Sequence, residues 1–518
     1  MSFSSKQKQV GIFFLACFCF FYQFYYFSDQ HLLGFHGGEV YGHAWTHFWR
    51  LQNFPEYFLG NNNALGVQNF PPIDILPLFV SNCFALIGGT IFGYNAWIVI
   101  AVCLAGFGGY FLAETEGGDP LVGGFVLACS PIFLGTIHSG LTEDMGIGLA
   151  AFSLAFLRKR SLWGVLFLVL VGYSGLVLGW MTGISAIIIA LADIKNNPKK
   201  WRQWAVFGIA TLILISPLFW IHFERLGSKG HRFGAHVMGF EYFWPLNPWK
   251  QADIASLFSA GRIDFSQEII RVHPAYLGII LSAVALFARA RVWWLIFCLF
   301  TLCSFGTSFR FFGEDTGLLN PMSYLLELLP GYELINHHGR FLLLALIAWS
   351  VLVAKGAQYI QRWLPDYGVL TMIVLELVFL SPIGFQIPKT NSYAETILEK
   401  IELKQDDFLL RLPMIGPNIS FQEALWEQKF HQEKILLSPN RPGIQAFSQK
   451  TSQTEWMEAL AFPEAEIPND FCLPKAVAGL VVLEEWTALI EEKMGPPMLR
   501  GARYSFWKID STAEYICD

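Results

Sequence analysis

Two acidic segments of the sequence carry the side chains best suited to chemistry. The first, HGGEVYGHAWTHFWR, places Glu39, His43 and His47 at intervals of four residues, which puts them on one face of a helix. A carboxylate beside two imidazoles can bind a divalent metal ion or act as a general base. The same stretch is equally typical of an amphipathic surface helix with its aromatic side chains at the lipid headgroups and its polar side chains merely solvated. Spacing alone leaves both interpretations open.

The second acidic segment is the pair Glu143 and Asp144, which follows His138 in a short polar stretch between apolar runs. Carboxylates at a membrane surface are costly without a partner, which favours a functional role for this pair. The alternative is helix capping, because acidic side chains near a helix N-terminus interact favourably with its dipole.

Imidazole and guanidinium side chains elsewhere could bind an anionic substrate. His337 and Arg340 come just before an apolar run, at the level of a lipid phosphate, and Arg binds phosphate through paired hydrogen bonds. The stretch 222–273 adds His231 and Arg232 in a dense mixture of charges. The simpler explanations are that interfacial Arg and His reach ordinary headgroups and that charged loops are solvated.

The elements that position these residues are membrane helices. The 518 residues are 54% hydrophobic and only 15% charged, whereas ordinary soluble domains are about 25% charged. Apolar runs of 18 or more residues recur, the length that a helix needs to cross a bilayer. The first run, Val10 to Phe27, is bulky and lacks a small-x-small cleavage site, so we expect an uncleaved first span.

Basic clusters orient the spans, because Lys and Arg beside a span mark the cytoplasmic side. We expect about eleven transmembrane helices, an N-terminus in the cytoplasm and a C-terminus outside. A tight hairpin is predicted at Gly179 to Gly183, and Ile73 to Ile91 is expected to form an interfacial or re-entrant helix. The predicted spans lie near 10–27, 94–113, 120–137, 142–157, 161–179, 181–193, 203–221, 274–288, 292–309, 340–356 and 367–387.

This topology divides the chain into a transmembrane domain, 1–387, and a soluble extracytoplasmic α/β domain, 388–518. The long outer loops are 28–93, 222–273 and 310–339. The tail holds 13 basic and 20 acidic residues, which argues against nucleic acid as a partner. Two tail cysteines, Cys472 and Cys517, could pair outside the cytoplasm. Nearly all of the loop residues are predicted to lie on the outer face of the membrane, where we expect the chemistry to occur.

The sequence resembles the GT-C class of membrane glycosyltransferases, particularly a group of bacterial multi-span proteins related to it. The stretches GGEVYGHAW, GTIFGYNAW and LLELLPGYELINHHGRF carry the resemblance, together with LLRLPMIGPNISFQEALWEQKFHQEKILL in the tail. Glu39, and Glu143 or Asp144, occupy the positions of the two outer-loop acids of that class. The first acid is Glu rather than the commoner Asp, and the usual Arg-x-Pro-x-Arg has only its final Arg, Arg340.

The resemblance implies transfer of a sugar from a polyprenyl-phosphate carrier to a glycan, lipid or protein acceptor on the outer face of the bacterial inner membrane. It implies catalytic roles for Glu39, Glu143 and Asp144, and a divalent cation, Mg²⁺ or Mn²⁺, on Glu39 and Asp144. Substrate-binding roles fall to a set of basic and imidazole residues: His43, His138, His231, Arg232, His337 and Arg340.

Two other classes of function remain as alternatives. A transporter or flippase of lipid-linked saccharides needs polar residues within the membrane and often has repeated halves. Glu376 is a carboxylate inside an apolar run, but no internal repeat is visible. The second alternative is a noncatalytic GT-C-like assembly protein whose outer domain binds a partner.

Overall fold

The computed structural model describes most of the apolar part of the chain and separate pieces of the tail. The predicted first span and Cys472 lie outside the described residues. The described ranges are 31–35, 39–52, 74–226, 254–258, 275–306, 308–311, 314–322, 338–364, 367–383, 387–392, 398–403, 408–412, 423, 426–427, 434–435, 473–474, 477–509 and 516–517.

Helices dominate the described residues up to 380. In chain order they are α1 (Val40–Gln52), α2 (Ile75–Glu116), α3 (Pro120–Cys129), α4 (Pro131–His138), α5 (Ile147–Arg158), α6 (Trp163–Ser174), α7 (Leu176–Asn196), α8 (Trp201–Leu226), α9 (Ile279–Ala285), α10 (Arg291–Ser304), α11 (Phe341–Ile360), α12 (Gly368–Phe379) and α13 (Glu484–Met494). Short 3₁₀ turns lie at Thr142–Asp144, Pro198–Lys200, Ala255–Leu257, His338–Arg340 and Leu398–Lys400.

Five helical stretches among the described residues are long and apolar enough to cross a membrane. They are Ile75–Glu116, Pro120–His138, Leu176–Asn196, Pro198–Leu218 and His338–Ile360. The shorter apolar helices α6, α10 and α12 add to them. The protein is therefore a polytopic membrane protein, and the total of eleven spans stays a prediction.

Helix α2 bends sharply at Gly89. The backbone there has φ 83° and ψ 174°, outside the helical region. A Cβ added to Gly93 would lie 2.3 Å from the carbonyl oxygen of Ser81, so the first part of α2 folds back along the second. The segment predicted as a separate helix at Ile73 to Ile91 is this first part. Phe79 and Leu86 within it are 67% and 82% exposed, and its location at the membrane surface stays a prediction.

The turn predicted at Gly179 to Gly183 lies instead at Gly175, between two helices that contact each other. The chain breaks at Gly175, where α6 ends and α7 begins as a continuous helix of 21 residues. An added Cβ at Gly175 would lie 2.2 Å from the carbonyl oxygen of Glu143, so close backbone contact selects glycine at this position. Glycines 179 and 172 instead let α7 pack closely on α6, since a Cβ on Gly179 would lie 2.6 Å from Cα of Gly172.

Helix α11 lies at the centre of the bundle. Every residue from Phe341 to Ala354 is buried, as expected for a helix that is apolar on all faces. The helix contacts α2, α3, α9 and α10 among others. It begins at Arg340, so the centre of the bundle fixes the position of this guanidinium.

Ion pairs join the ends of several helices at the end of the bundle that lies away from Arg340. Arg158, at the end of α5, lies 2.6 Å from Glu116 and 2.9 Å from Asp193, and Lys200 lies 3.5 Å from Asp193. The basic clusters around Arg158 and Lys200 therefore lie together at one end of the bundle. Glu143 and Asp144 precede the start of α5 and lie at its other end.

The tail contains a five-stranded mixed sheet against which α13 packs. Its strands are β5 (Phe408–Leu412), β6 (Lys434–Ile435), β8 (Val477–Leu483), β9 (Leu499–Arg500) and β10 (Tyr504–Lys508), in the order β6-β5-β8-β10-β9. Strand β8 is central, parallel to β5 and antiparallel to β10. The strands in chain order are β1 (His31–Leu33), β2 (Ser308–Phe311), β3 (Glu314–Leu319), β4 (Lys389–Asn391), β5 (Phe408–Leu412), β6 (Lys434–Ile435), β7 (Leu473–Pro474), β8 (Val477–Leu483), β9 (Leu499–Arg500), β10 (Tyr504–Lys508) and β11 (Ile516–Cys517).

A short ladder connects the start of the described chain to the tail. Strand β1 pairs antiparallel with β4, with His31 opposite Asn391 and Leu33 opposite Lys389. Asn95 of α2 anchors this ladder: its Oδ1 accepts a hydrogen bond from the backbone N–H of Leu33 at 2.9 Å, and its Nδ2 donates to the carbonyl oxygen of His31 at 2.8 Å. Strand β1 and the segment leading to α1 are thereby fixed against the bundle.

Candidate active site

His43 is the centre of a cluster of acidic side chains at the start of α1. Its Nε2 lies 3.2 Å from Oε2 of Glu39 and 3.2 Å from Oε2 of Glu143. Its Nδ1 lies 2.7 Å from Oδ2 of Asp74. Three carboxylates from separate parts of the chain therefore converge on one imidazole, which belongs to a residue only 4% exposed.

The position of Glu39 follows from the predicted helix period. Glu39 directly precedes α1, and its backbone N–H donates to the carbonyl oxygen of Ser139 at 2.8 Å. Four residues later, His43 lies on the same face. His47 is buried one turn further along, with its ring 5.8 Å from the ring of Tyr94. The structure thus brings Glu39 and His43 together and places His47 against α2.

Asp74 was not predicted as a site residue. Its Oδ2 accepts a hydrogen bond from the hydroxyl of Thr142 at 2.6 Å, and the same hydroxyl lies 2.8 Å from Nδ1 of His43. The backbone of Asp74 is left-handed, with φ 56° and ψ 40°, a costly conformation that clusters at functional sites. The available signal in the sequence was a carboxylate directly before a long apolar run.

Arg340 contacts both acids of the second pair, Glu143 and Asp144. Its Nη2 donates to Oε1 of Glu143 at 2.5 Å, and its Nε lies 3.1 Å from Oδ2 of Asp144. Helix α5 begins after Gly146, which makes no side-chain cap. The capping explanation for the two acids therefore has no support in the structure, because their carboxylates contact Arg340 instead. Glu143 touches both His43 and Arg340 and so joins the two halves of the site.

Burial and the neighbouring carboxylates both shift the pKa values of the site. Burial is the main cause that raises the pKa of Asp144, to about 7; the charge of Arg340 lowers it, and the charges of Glu143 and Asp74 raise it. Burial lowers the pKa of His43, but the charges of Glu143 and Asp74 outweigh this effect and the net pKa is raised. Asp144, with a pKa of about 7, can exchange a proton with a substrate near neutral pH.

The donor set fits a divalent cation. Glu39, His43 and Glu143 each offer one ligand atom, and these atoms lie within 4.8 Å of one another. Two carboxylates and an imidazole suit Mn²⁺, whereas Mg²⁺ prefers oxygen ligands. A cation would also offset buried negative charge, which is costly when it is uncompensated. Of the two predicted ligands, Glu39 belongs to this set, while Asp144 lies on the Arg340 side.

The remaining predicted residues are distributed differently. His138 is 1% exposed and ends α4, and its carbonyl oxygen accepts a hydrogen bond from the N–H of Phe35 at 2.8 Å. This bond holds the chain just before Glu39. Predicted substrate-binding residues His231, Arg232 and His337 lie outside the described part of the chain.

A small pocket adjoins the acidic cluster on the Arg340 side. Asp144 and Arg340 line it, together with Ile132, Thr136 and Leu343. Charged and apolar side chains therefore line the same small pocket.

Glu376 has a different role. Its Oε1 accepts hydrogen bonds from the backbone N–H groups of Ile279 and Ile280, at 2.5 and 2.8 Å, and its Oε2 accepts one from Leu281 at 2.9 Å. The hydroxyl of Tyr276 adds a bond of 3.2 Å. This carboxylate binds the backbone at the start of α9 and so joins α12 to α9.

Comparisons with known proteins give structural neighbours only. No family model and no curated protein matches the chain. The chain is similar to the arabinofuranosyltransferase AftD from mycobacteria, with 12% identity and a TM-score of 0.42, over 79% of this chain and 30% of that chain. It is also similar to ArnT from Cupriavidus metallidurans bound to undecaprenyl phosphate, with 14% identity and a TM-score of 0.42, over 98% of this chain and 99% of that chain. For ArnT in the apo state the identity is 13% and the TM-score 0.41, over 97% and 98%.

These neighbours are glycosyltransferases of the GT-C class, the class that the sequence resembles. The chain spans under a third of the length of AftD but nearly all of ArnT. TM-scores this low do not establish a shared fold.

Proposed function

We propose that the protein is an integral membrane glycosyltransferase that moves a sugar from a polyprenyl-phosphate donor to an acceptor on the extracytoplasmic face. The observation that supports it best is the convergence of Glu39, Asp74 and Glu143 on His43, beside an Arg that binds Glu143. This arrangement combines proton acceptors with a fixed positive charge. The donor class comes from the resemblance of the sequence motifs.

The first step assigned to the site is activation of the acceptor. Glu39 and Glu143 are the accessible acids of the cluster, with side chains 11% and 17% exposed, whereas those of Asp74 and Asp144 are 0% and 1% exposed. Glu143 is bound by Arg340, which leaves Glu39 as the better proton acceptor. We assign Glu39 as the general base that removes the proton of the acceptor hydroxyl. The acceptor oxygen then forms a bond to the anomeric carbon as the bond from that carbon to the phosphate oxygen breaks.

Charge on the departing polyprenyl phosphate requires a positive partner. Arg340 begins a buried helix at the centre of the bundle and is itself 8% exposed, so its guanidinium is held in place before substrate arrives. Preorganised charge of this kind stabilises a developing anion without further rearrangement. A divalent cation on Glu39, His43 and Glu143 would supply Lewis-acid stabilisation of the same charge.

Asp74 and Thr142 orient the imidazole. Because Nδ1 of His43 faces the carboxylate of Asp74 at 2.7 Å, we assign the Nδ1 proton to this contact. Nε2 is then directed towards Glu39 and Glu143. A carboxylate behind a histidine fixes its tautomer and ring orientation in the same way in other sites.

The transporter alternative loses its main support in the structure. Glu376, the carboxylate that motivated it, binds the backbone at the start of α9. Its hydrogen bonds account for its burial in the apolar run. Glu39 and Glu143, whose side chains are 11% and 17% exposed, meet at His43 instead.

The test is glycan mass spectrometry on a deletion strain that carries plasmid copies of the gene. Wild type should restore a glycan that is missing from the deletion strain. We expect Glu39→Gln, a nearly isosteric change, to restore less than about one hundredth of it, the loss typical of a missing general base. Glu491→Gln, at an exposed ion pair of the tail, is the matched control and should restore it fully. Full restoration by Glu39→Gln at normal protein levels would contradict the proposal.

A further inference from the structure

The tail contains a buried cluster of charged residues that the proposed mechanism does not use. Arg411 of β5 is 6% exposed; its Nη2 lies 3.1 Å from Glu423 and its Nε lies 3.0 Å from Glu427. Arg503 donates to Glu423 at 2.7 and 3.1 Å, and the hydroxyl of Tyr504 donates to Glu427 at 2.6 Å. We call these five residues the tail cluster. Buried ion pairs contribute little net stability, but they can fix how elements meet.

One connection from the tail towards the candidate site is the β1–β4 ladder. The backbone N–H of Gly34 donates to the carbonyl oxygen of Pro388 at 2.8 Å, and the hydroxyl of Thr390 donates to the carbonyl oxygen of Gly34 at 2.9 Å. On the tail side, Nε1 of Trp426 donates to the carbonyl oxygen of Ser392 at 3.0 Å. Backbone and side-chain bonds therefore run from the residues beside the tail cluster to the segment that leads into α1.

Tyr41 is a second and independent connection. It lies on α1 between Glu39 and His43 and is 3% exposed. The Tyr41 hydroxyl lies within electrostatic range of Glu423 and Arg503 of the tail cluster.

We propose that the tail is a positioning part of the active site, in which the tail cluster and the β1–β4 ladder together hold α1 so that Glu39 and His43 meet the acids of the membrane helices. This inference rests on the proposed function. Tyr41 and Arg411 are positioning residues, which touch neither the acceptor nor the donor phosphate.

The physical reason lies in the attachment of α1. Glu39 directly precedes α1 and His43 lies on it, whereas Glu143 and Arg340 belong to segments fixed to the bundle. Displacement of α1 by about 1 Å would separate the two sets, and errors of this size can cost about a hundredfold in rate. Contacts from the tail hold α1 in place and so keep His43 at 3.2 Å from both Glu39 and Glu143.

Hydrogen exchange on the full-length protein in lipid nanodiscs tests the support directly. We expect Arg411→Met to raise exchange at 40–52 by about tenfold, the change that follows the loss of a charge-assisted contact. Exchange in α5 and α11 should stay at its wild-type rate. Arg411→Lys keeps the charge and should restore part of the protection, and Glu491→Gln is the control on the tail surface.

If Arg411→Met unfolds the tail, Tyr41→Phe still tests the proposal. It removes one hydroxyl on α1 and leaves the tail cluster intact, so faster exchange at 40–52 with normal exchange in β8 and β10 is the expected result. Wild-type exchange at 40–52 in Tyr41→Phe, or in Arg411→Met with a folded tail, would overturn the proposal.

The activity measurement separates this inference from the proposed function. In the strain assay, Tyr41→Phe should slow glycan restoration by about tenfold at a normal protein level, while Glu39→Gln abolishes it. Equal restoration by wild type and Glu39→Gln refutes the proposed function, whereas the exchange result still shows whether the tail supports α1. Loss with Glu39→Gln but normal rates in Tyr41→Phe refutes the positioning role alone.

Discussion

Replacing Arg340 with Met tests the charge balance of the site more sharply than any other single change. Arg340→Met keeps a side chain of similar length at the start of α11 and removes the positive charge that faces Glu143 and Asp144. The side chains of these acids are 17% and 1% exposed, so water can compensate little of the loss. The variant therefore leaves two carboxylates in a buried site with fewer positive partners.

The size of the effect follows from this burial. Removing one partner of a buried ion pair costs about 3 to 5 kcal/mol. The pKa of Asp144 is already raised to about 7, and loss of the Arg340 charge, which lowers this pKa, raises it further. Protonation of Asp144 then limits the cost. We expect a loss of unfolding free energy of about 3 kcal/mol at pH 8 and about half of this at pH 5, where Asp144 is neutral in both proteins.

Unfolding in mixed micelles, followed by tryptophan fluorescence during SDS titration, gives the free energies. The double variant Arg340→Met/Asp144→Asn should recover at least about 1 kcal/mol of the loss at pH 8, because the buried charge has gone. Arg500→Met, at the exposed pair with Glu491, should cost less than about 1 kcal/mol. Equal losses at pH 5 and pH 8, or no recovery in the double variant, would refute the charge argument.

Three further predictions concern single carboxylates. Between about pH 4 and pH 7, the raised pKa of Asp144 means that the folded protein binds a proton that the unfolded chain releases, so the free energy of unfolding falls as the pH rises. Asp144→Asn should remove up to about 1.4 kcal/mol per pH unit of this slope, measured by unfolding titrations at several pH values. Asp74→Ala should be about 1 kcal/mol less stable than Asp74→Asn, because Asn tolerates the left-handed backbone, and equal unfolding free energies would contradict this. Glu376→Gln should cost about 1 to 3 kcal/mol of stability yet restore the glycan in the strain assay; loss of the glycan in a stable variant would revive an intramembrane role.

Local spacing made part of the site predictable. Glu39 and His43 are four residues apart, so the helix period alone predicts their contact. The pairing of Arg340 with Glu143 joins positions 197 residues apart in the chain, and only the helix packing creates it. Both residues could be selected as candidates from their types and surroundings, but their partnership could not.

The missed site residue and the misplaced turn also have physical causes. Asp74 lies directly before a long apolar run. Its left-handed backbone and its contact with His43 produce no repeating pattern in the sequence, so spacing could not reveal its role. A hairpin at Gly179 is predicted because basic clusters on both sides of 161–193 require an even number of crossings, yet Gly179 serves helix packing. The break falls at Gly175, where a backbone contact with Glu143 requires the absence of a side chain. Such long-range contacts are not encoded in local composition.

Arg340 cannot make its full contacts with both acids and a phosphate at the same time, since a guanidinium has a limited number of donors. A cation on Glu39, His43 and Glu143 would offset negative charge and compete for Glu143, which leaves Arg340 more available to an anion. Cation and phosphate should therefore bind cooperatively, and the coupling must be reciprocal. We expect Mn²⁺ to raise the affinity for a short-chain polyprenyl phosphate at least about fivefold in calorimetry, and the lipid to raise the affinity for Mn²⁺ by the same factor. His43→Gln should abolish both effects, and affinities that do not depend on the second ligand would show that the two charges act separately.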